Sequence, residues 1–108
     1  MQKKELLKPR FIPTQRINSQ GRINLGIENS EKVFYCFYDA IISDGKKICI
    51  WVRETPELDE GEMRVGRTGK KADGNGRIFV GKKYEGADAV VLKKAGTILI
   101  VLIEGFSE

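Results

Sequence analysis

The sequence contains a stretch of nine residues that returns in related form 55 positions later. NSQGRINLG (18–26) matches DGNGRIFVG (73–81). The shared residues are two glycines, an arginine and an isoleucine, so that Gly21, Arg22, Ile23 and Gly26 correspond to Gly76, Arg77, Ile78 and Gly81. A match at a constant offset predicts one small structural unit that occurs twice. Two units are too few for a solenoid, whereas a closed barrel with pseudo-twofold symmetry leaves no strand edge exposed.

Each half of the sequence also predicts a pair of β-strands. Segments rich in β-branched and aromatic residues occur twice in each half, with Ser-Asp-Gly or Ala-Gly as the turn between them. The predicted strands are KVFYCFY (32–38), KKICIWV (46–52), DAVVLKK (88–94) and TILIVLI (97–103). Residues 25–32 and 80–87 have room for one turn of helix each, and no segment keeps a helical period between two caps. The predicted fold class is therefore mainly β, a small closed pseudo-twofold barrel.

The length and the distribution of acids predict how the chain is organised. A chain of 108 residues is the size of one domain. Residues 54–62 (ETPELDEGE) contain five acids and no base, which is a composition typical of a linker. We therefore expect a single domain, residues 1–108, with a first unit over about 10–53, an acidic linker over 54–62 and a second unit over about 63–104.

The residues that most enzymes need for catalysis are scarce in this chain. Histidine is absent, and no activated nucleophile or spaced pair of carboxylates is evident. The segment GRTGKKADGNG (66–76) is not a nucleotide-binding loop, because two residues rather than four separate its first glycine from Gly-Lys. We expect a protein that is not an enzyme and that uses neither a cofactor nor a metal.

Two cysteines and the hydropathy of the chain bear on its compartment. Cys36 and Cys49 are too far apart for a redox or metal motif, and each lies in an apolar stretch. We expect free thiols in the core, with a disulfide as the alternative. The N-terminal segment lacks the apolar core of a signal peptide, and the longest apolar run, 98–103, is too short to cross a bilayer. The expected protein is soluble and cytoplasmic, with no membrane association.

Positive charge is concentrated in two segments that the repeat makes equivalent. Residues 1–22 contain six bases and one acid, and residues 63–83 contain seven bases and one acid. In a barrel with pseudo-twofold symmetry the two segments would form one basic face, with little acid nearby. Such a face is typical of proteins that bind polyanions. The candidate nucleic-acid-binding residues are Arg10, Arg16, Arg22, Arg67, Lys70, Lys71, Arg77, Lys82 and Lys83. The alternative is an ordinary solvated surface.

The motif around the repeated glycine resembles that of a known group of proteins. Gly21-Arg22-Ile23, Gly76-Arg77-Ile78 and EGAD (85–88), each half ending in a hairpin, are similar to the AbrB-like swapped-hairpin transcription factors. More broadly the chain resembles the cradle-loop barrels, which include the RIFT-type barrels. The family usually has proline where Gly26 and Gly81 stand. Both units lie in one chain here, as in a fused RIFT-type barrel.

The resemblance implies a function in DNA binding. The positions that match the family motif are Arg16, Arg22, Lys71 and Arg77, and the resemblance implies contacts from them to phosphates and a groove. We expect a transcriptional regulator that binds double-stranded DNA through two basic loops, 10–22 and 64–83, as a monomeric barrel or as a homodimer. Two alternatives stay open. One is a RIFT-type module that binds a nucleotide or another phosphorylated small molecule in a pocket beside Lys70 and Lys71, and the other is a protein-interaction module.

Overall fold

Eight β-strands account for most of the secondary structure in the described part of the chain. The computed structural model describes residues 14–45, 47–94 and 97–103, without the side chains of residues 67 and 94. The strands are β1 (Gln15–Arg16), β2 (Arg22–Asn24), β3 (Val33–Asp39), β4 (Lys47–Arg53), β5 (Glu62–Lys71), β6 (Arg77–Phe79), β7 (Asp88–Lys94) and β8 (Thr97–Ile103). Single turns of 3-10 helix lie at Ile27–Asn29 and Lys82–Tyr84. The mainly β class is confirmed, and the four predicted strands agree with β3, β4, β7 and β8 to within one residue.

The strands form one large sheet and one small ladder. The six-stranded sheet has the order β1-β7-β8-β4-β3-β5, and all of its neighbouring strands are antiparallel. Among the described residues, the second sheet consists of β2 and β6. Ile50 lies opposite Ile100 in the β4–β8 pair, and Ile23 lies opposite Ile78 in the β2–β6 pair. The strands from the two halves of the sequence therefore meet at the centre of both sheets.

The small ladder covers one face of the large sheet. Its buried side chains, which include Ile23 and Ile78, pack into one apolar cluster with Ile50 and Ile100 of the large sheet. The opposite face is also buried, since Trp51 is 1% exposed and packs with other apolar residues of the central strands. Because successive residues of a strand point to opposite faces, burial of both faces requires continuous apolar runs. This explains the sequences KICIWV and TILIVLI in β4 and β8.

Matching hydrogen bonds recur in the two glycine turns at the 55-residue offset. The N–H of Gly21 donates to the carbonyl of Asn18 at 2.9 Å, and the N–H of Gly76 donates to the carbonyl of Asp73 at 3.0 Å. Gly21 and Gly76 have φ angles of 76° and 81°. These values lie in the left-handed region, which glycine occupies without a steric penalty. The local geometry therefore explains why glycine stands at both positions.

Neither sheet closes on itself within the described residues. β1 and β5 lie at the two ends of the six-stranded sheet, and no ladder in the described part of the chain joins them. The sheet is open in this hydrogen-bonding sense, and closure into a barrel stays a prediction.

The predicted basic loop 64–83 is in large part a strand. β5 extends to Lys71 and pairs with β3 over most of its length. The register shifts between Phe34 and Cys36, where several β5 residues lie opposite one residue of β3. Gly66 adopts a φ of 85° in this irregular part of the strand. Such a β-bulge breaks the alternation of apolar and polar residues that would otherwise reveal a strand.

The end of the acidic segment is anchored to the sheet. Arg53 donates from Nη2 to a carboxylate oxygen of Glu62 at 2.5 Å and to one of Asp59 at 3.2 Å. Glu62 is the first residue of β5, and its side chain is fully buried. The last acid of the predicted linker is therefore part of the sheet.

The expectation for the cysteines is confirmed, because Cys36 and Cys49 are both free and buried. Within the described residues, no helix combines the length and the apolar character needed to cross a bilayer.

Candidate nucleic-acid interface

Two of the predicted site arginines converge on one carboxylate. β2 and β6 pair so that Arg22 lies opposite Phe79, and Arg77 is two residues from Phe79 on the same face of the ladder. Arg22 donates from Nη1 to Oδ2 of Asp73 at 3.3 Å, and Arg77 donates from Nε to the same oxygen at 3.1 Å. The fold therefore brings Arg22 and Arg77 together at one carboxylate.

Asp73 is also bound to the backbone of its own turn. Its Oδ1 accepts the N–H groups of Asn75 at 2.9 Å and of Arg77 at 3.0 Å. The N–H of Arg77 is the main cause that holds the pKa of Asp73 below its usual value, and the N–H of Asn75 and the guanidinium of Arg77 add to it. Asp73 is therefore a carboxylate at neutral pH, and it neutralises part of the charge of the two arginines.

Asn18 occupies the matching position in the first half. Its Oδ1 accepts the N–H groups of Gln20 and Arg22, both at 3.0 Å. The turn geometry is the same as that around Asp73, with an amide in place of the carboxylate. The site therefore has two guanidinium groups and one carboxylate, which gives it a net positive charge.

Two further site residues are paired with acids at the surface. Arg16 lies 3.6 Å from Asp88, and Lys71 lies 3.2 Å from Glu31. Both bases are largely exposed, and exposed ion pairs of this kind are weak enough to exchange with a ligand. The sequence predicts few acidic residues near these bases. The structure places Asp88 and Glu31 beside them, although both acids are distant from their partners in the sequence.

The remaining predicted site residues fall in β5 and in the second 3-10 helix, or outside the described part of the chain. Arg10 lies outside the described residues. The backbone of Arg67 lies in β5, and its side chain is not described. Lys82 and Lys83 are exposed residues of the 3-10 helix Lys82–Tyr84. Lys70 lies in β5 and donates from Nζ to the carbonyl of Phe79 at 3.3 Å.

Three cations of this region lie over aromatic rings. Arg64 lies 5.0 Å from the centre of the Tyr35 ring, Lys70 lies 5.3 Å from that of Phe79, and Lys83 lies 5.0 Å from that of Tyr84. Arg64 was not among the predicted site residues, because no repeat or motif singles it out. Cation–π contacts hold the charged groups near the surface without neutralising them.

We name this region the β5 basic surface and define it as Arg64, Lys70, Lys71, Lys82 and Lys83. Among the described residues, four of these five cations have no acid within ion-pair distance, Lys71 being the exception. Phe79, which lies beneath Lys70, is 41% exposed. All five of these cations come from the second half of the sequence.

A cleft opens at one side of this surface. Its volume is about 360 Å³, and Arg64 and Lys83 line it together with Tyr38, Met63 and Tyr84. The small-molecule alternative predicts a pocket beside Lys70 and Lys71, and this cleft does not include either residue.

The described residues offer little for covalent or metal chemistry. Burial raises the pKa of Cys49 to about 11 and also raises that of Cys36, which keeps both thiols protonated at neutral pH. No group of three or more His, Cys, Asp or Glu side chains in the described ranges is arranged to hold a metal ion.

Comparison with known proteins adds no further assignment. A scan against protein-family models, a search of curated proteins and a search of solved structures each find no match to this chain.

Proposed function

We propose that this protein binds double-stranded DNA without catalysis, through the β5 basic surface and the two arginines beside Asp73. The observation that carries the proposal is the group of cations on this surface that no described acid neutralises. Lysine and arginine side chains that have no acidic partner can replace the counterions of a phosphate backbone, and this replacement drives non-specific DNA binding.

The aromatic contacts support the same function. Lys70 and Lys83 rest over rings rather than on carboxylates, so each can move to a phosphate without breaking an ion pair. Arg22 and Arg77 are held side by side at Asp73, and their planar groups suit phosphate or guanine recognition. In this proposal the lysines contact phosphates and the arginine pair supplies the contacts to bases.

An edge strand such as β5 has a second reason to carry lysines, because charge on an edge prevents pairing with another sheet. That role requires no ligand. DNA affinity measured on individual lysine variants separates the two explanations.

We further propose that the chain is a tandem repeat with the architecture of a cradle-loop barrel. β1 leads through the first glycine turn into β2, and β5 leads through the second into β6. Since β2 and β6 pair with each other, the chain connects the two edges of the large sheet through covalent turns. This arrangement, and the resemblance to AbrB-like proteins, support a role in transcriptional regulation.

Fluorescence anisotropy with a labelled random duplex tests the proposal. The wild-type protein should bind at low salt and weaken steeply as salt increases. Lys70→Gln and Lys82→Gln should each weaken binding and reduce the slope of log affinity against log salt by about 1. Lys47→Gln is the matched control, because Lys47 lies 3.9 Å from Asp44 and outside the β5 basic surface. Equal effects of all three variants, or no binding at low salt, would argue against the proposal.

The two matching turns give a second test of the arginine pair. Asp73→Asn makes the second turn like the first and removes the carboxylate that binds both arginines, so it should strengthen DNA binding. Asn18→Asp places a second carboxylate at the matching position, so it should weaken binding. If the two variants leave the affinity unchanged, Arg22 and Arg77 do not contribute to DNA binding.

A further inference from the structure

The cleft beside the β5 basic surface has an apolar interior and a charged mouth. Ile50 lines it and is 1% exposed, which places this side chain at the base. Met63 also lines it and is 59% exposed, which places it at the mouth. Val65 and Tyr84 complete the apolar lining. The volume of about 360 Å³ lies within the range of small-molecule sites.

The polar side-chain groups that line the cleft can all donate hydrogen bonds. They are the ammonium of Lys83 and the hydroxyl groups of Tyr38 and Tyr84, and the lining includes no carboxylate. Arg64 also lines the cleft, but its guanidinium lies over the ring of Tyr35 on the other face of the sheet. Lys83 forms no ion pair with a described residue. The electrostatic environment of the cleft therefore favours an anion.

The matching position in the other half is occupied by an ion pair. At the 55-residue offset Tyr38 corresponds to Lys93, and Lys83 corresponds to Glu28. Lys93 donates from Nζ to Oε1 of Glu28 at 2.7 Å, and this hydrogen bond is the main cause that lowers the pKa of Glu28. One half therefore has its own carboxylate between the 3-10 helix and the sheet, whereas the cleft in the other half has none.

We propose that the cleft binds a small organic anion, a carboxylate or a phosphate monoester attached to an apolar group. The anion lies between Lys83 and the Tyr38 hydroxyl, and it replaces the carboxylate that Glu28 supplies at the matching position. The apolar group lies against Ile50, Val65 and Met63. This site is separate from the DNA-binding proposal, although both use cations of the same surface.

Phenyl phosphate and benzoate are the probes, and binding is followed by NMR through the methyl group of Met63 and through the melting temperature. Both probes should shift the Met63 methyl resonance and raise the melting temperature. Inorganic phosphate has the charge without the ring, and benzyl alcohol has the ring without the charge, so each should bind at least about tenfold more weakly. Equal affinity for phosphate and phenyl phosphate, or an unmoved Met63 resonance, would overturn the proposal.

Adjacent lysines provide matched variants. Lys83→Gln should weaken phenyl phosphate binding by about tenfold, because a charge-assisted hydrogen bond is lost. Lys82→Gln removes the same charge one residue away and should leave that affinity unchanged, because Lys82 does not line the cleft. Equal losses in the two variants would mean that phenyl phosphate responds only to net charge, which contradicts a defined site.

A third variant separates this site from DNA binding. Met63→Trp puts a large ring at an exposed position at the mouth, so the fold should be retained while phenyl phosphate binding is lost. Because the variant leaves every charge in place, DNA binding at low salt should persist. Retained phenyl phosphate affinity in Met63→Trp would overturn the cleft as the site, whatever the result with DNA.

Discussion

Trp51 donates its indole N–H to a carboxylate oxygen of Asp39 at 2.7 Å, and both side chains are almost completely buried. Asp39 is the last residue of β3, and its other oxygen accepts the N–H groups of Ile41 at 2.9 Å and Ile42 at 3.3 Å. A buried carboxylate is unfavourable unless hydrogen bonds compensate it. These bonds fix the start of the loop between β3 and β4 and connect it to the centre of the sheet.

Asp39→Ala should lower the free energy of unfolding by about 2–4 kcal/mol, because it leaves the buried indole N–H and the loop amides without this acceptor. Urea denaturation followed by tryptophan fluorescence measures the loss. Asp44→Ala is the control, since Asp44 is exposed in the same loop and accepts the N–H of Lys47. It should lower stability by less than about 1 kcal/mol. Similar losses for the two variants would contradict the importance of the Asp39–Trp51 contact.

Gly76→Ala should lower the free energy of unfolding by more than about 2 kcal/mol. A Cβ at this position would lie 1.9 Å from the carbonyl oxygen of Gly26, and the φ of 81° is strained for alanine. Gly74→Ala, two residues earlier in the same turn, is the matched control, because a Cβ there meets no atom within 4 Å. Urea denaturation of both variants is the measurement, and the prediction fails if Gly76→Ala is as stable as Gly74→Ala.

Asp73→Asn should make the stability of the protein depend less on pH in the acid range. The pKa of Asp73 is lower in the folded protein than in the unfolded chain, so its carboxylate stabilises the fold above a pH of about 4. That stabilisation is lost as the pH falls through the folded-state pKa. Melting temperatures should therefore differ between wild type and variant near neutral pH and converge in acid. Curves that stay parallel down to a pH of about 2 would contradict this role.

Cys36 and Cys49 should not react with a thiol reagent while the protein is folded. With a pKa of about 11, Cys49 is a thiolate in only about one molecule in a thousand at a pH of about 8. Burial raises the pKa of Cys36 as well. The measurement is the rate of labelling by a disulfide reagent, with the urea-unfolded chain as the fully reactive control. Rapid labelling under native conditions would contradict the burial of the thiols.

The sequence predicts correctly those strands whose apolar residues indicate that the strand is buried. β4 and β8 have continuous apolar runs because both of their faces are covered. The sequence does not predict β5, because this strand lies at the sheet edge and lacks a regular apolar pattern. It contains two glycines, a bulge and four basic residues. Its pairing with β3 depends on contacts between distant parts of the chain, and local sequence patterns do not contain that information.

The candidate site could be predicted only in part for a related reason. The sequence match at the 55-residue offset pairs Arg22 with Arg77, and the structure places both beside Asp73. The pairing of Lys71 with Glu31 joins positions that no motif connects. The cleft likewise could not be predicted from the sequence, because Tyr38 and Lys83 come from different halves and line the same cleft only after the chain has folded.

The pairing of strands across the two halves has a consequence for how the chain folds. β1 of the first half pairs with β7 of the second, and β5 of the second pairs with β3 of the first. Neither half can complete its own sheet, so the halves should form one cooperative folding unit with a single calorimetric transition. Contacts between residues as distant as Gln15 and Ala89 must form during folding, and such a topology favours slow folding. A chain cleaved within residues 54–61 should therefore stay assembled, because strands of each fragment pair with strands of the other.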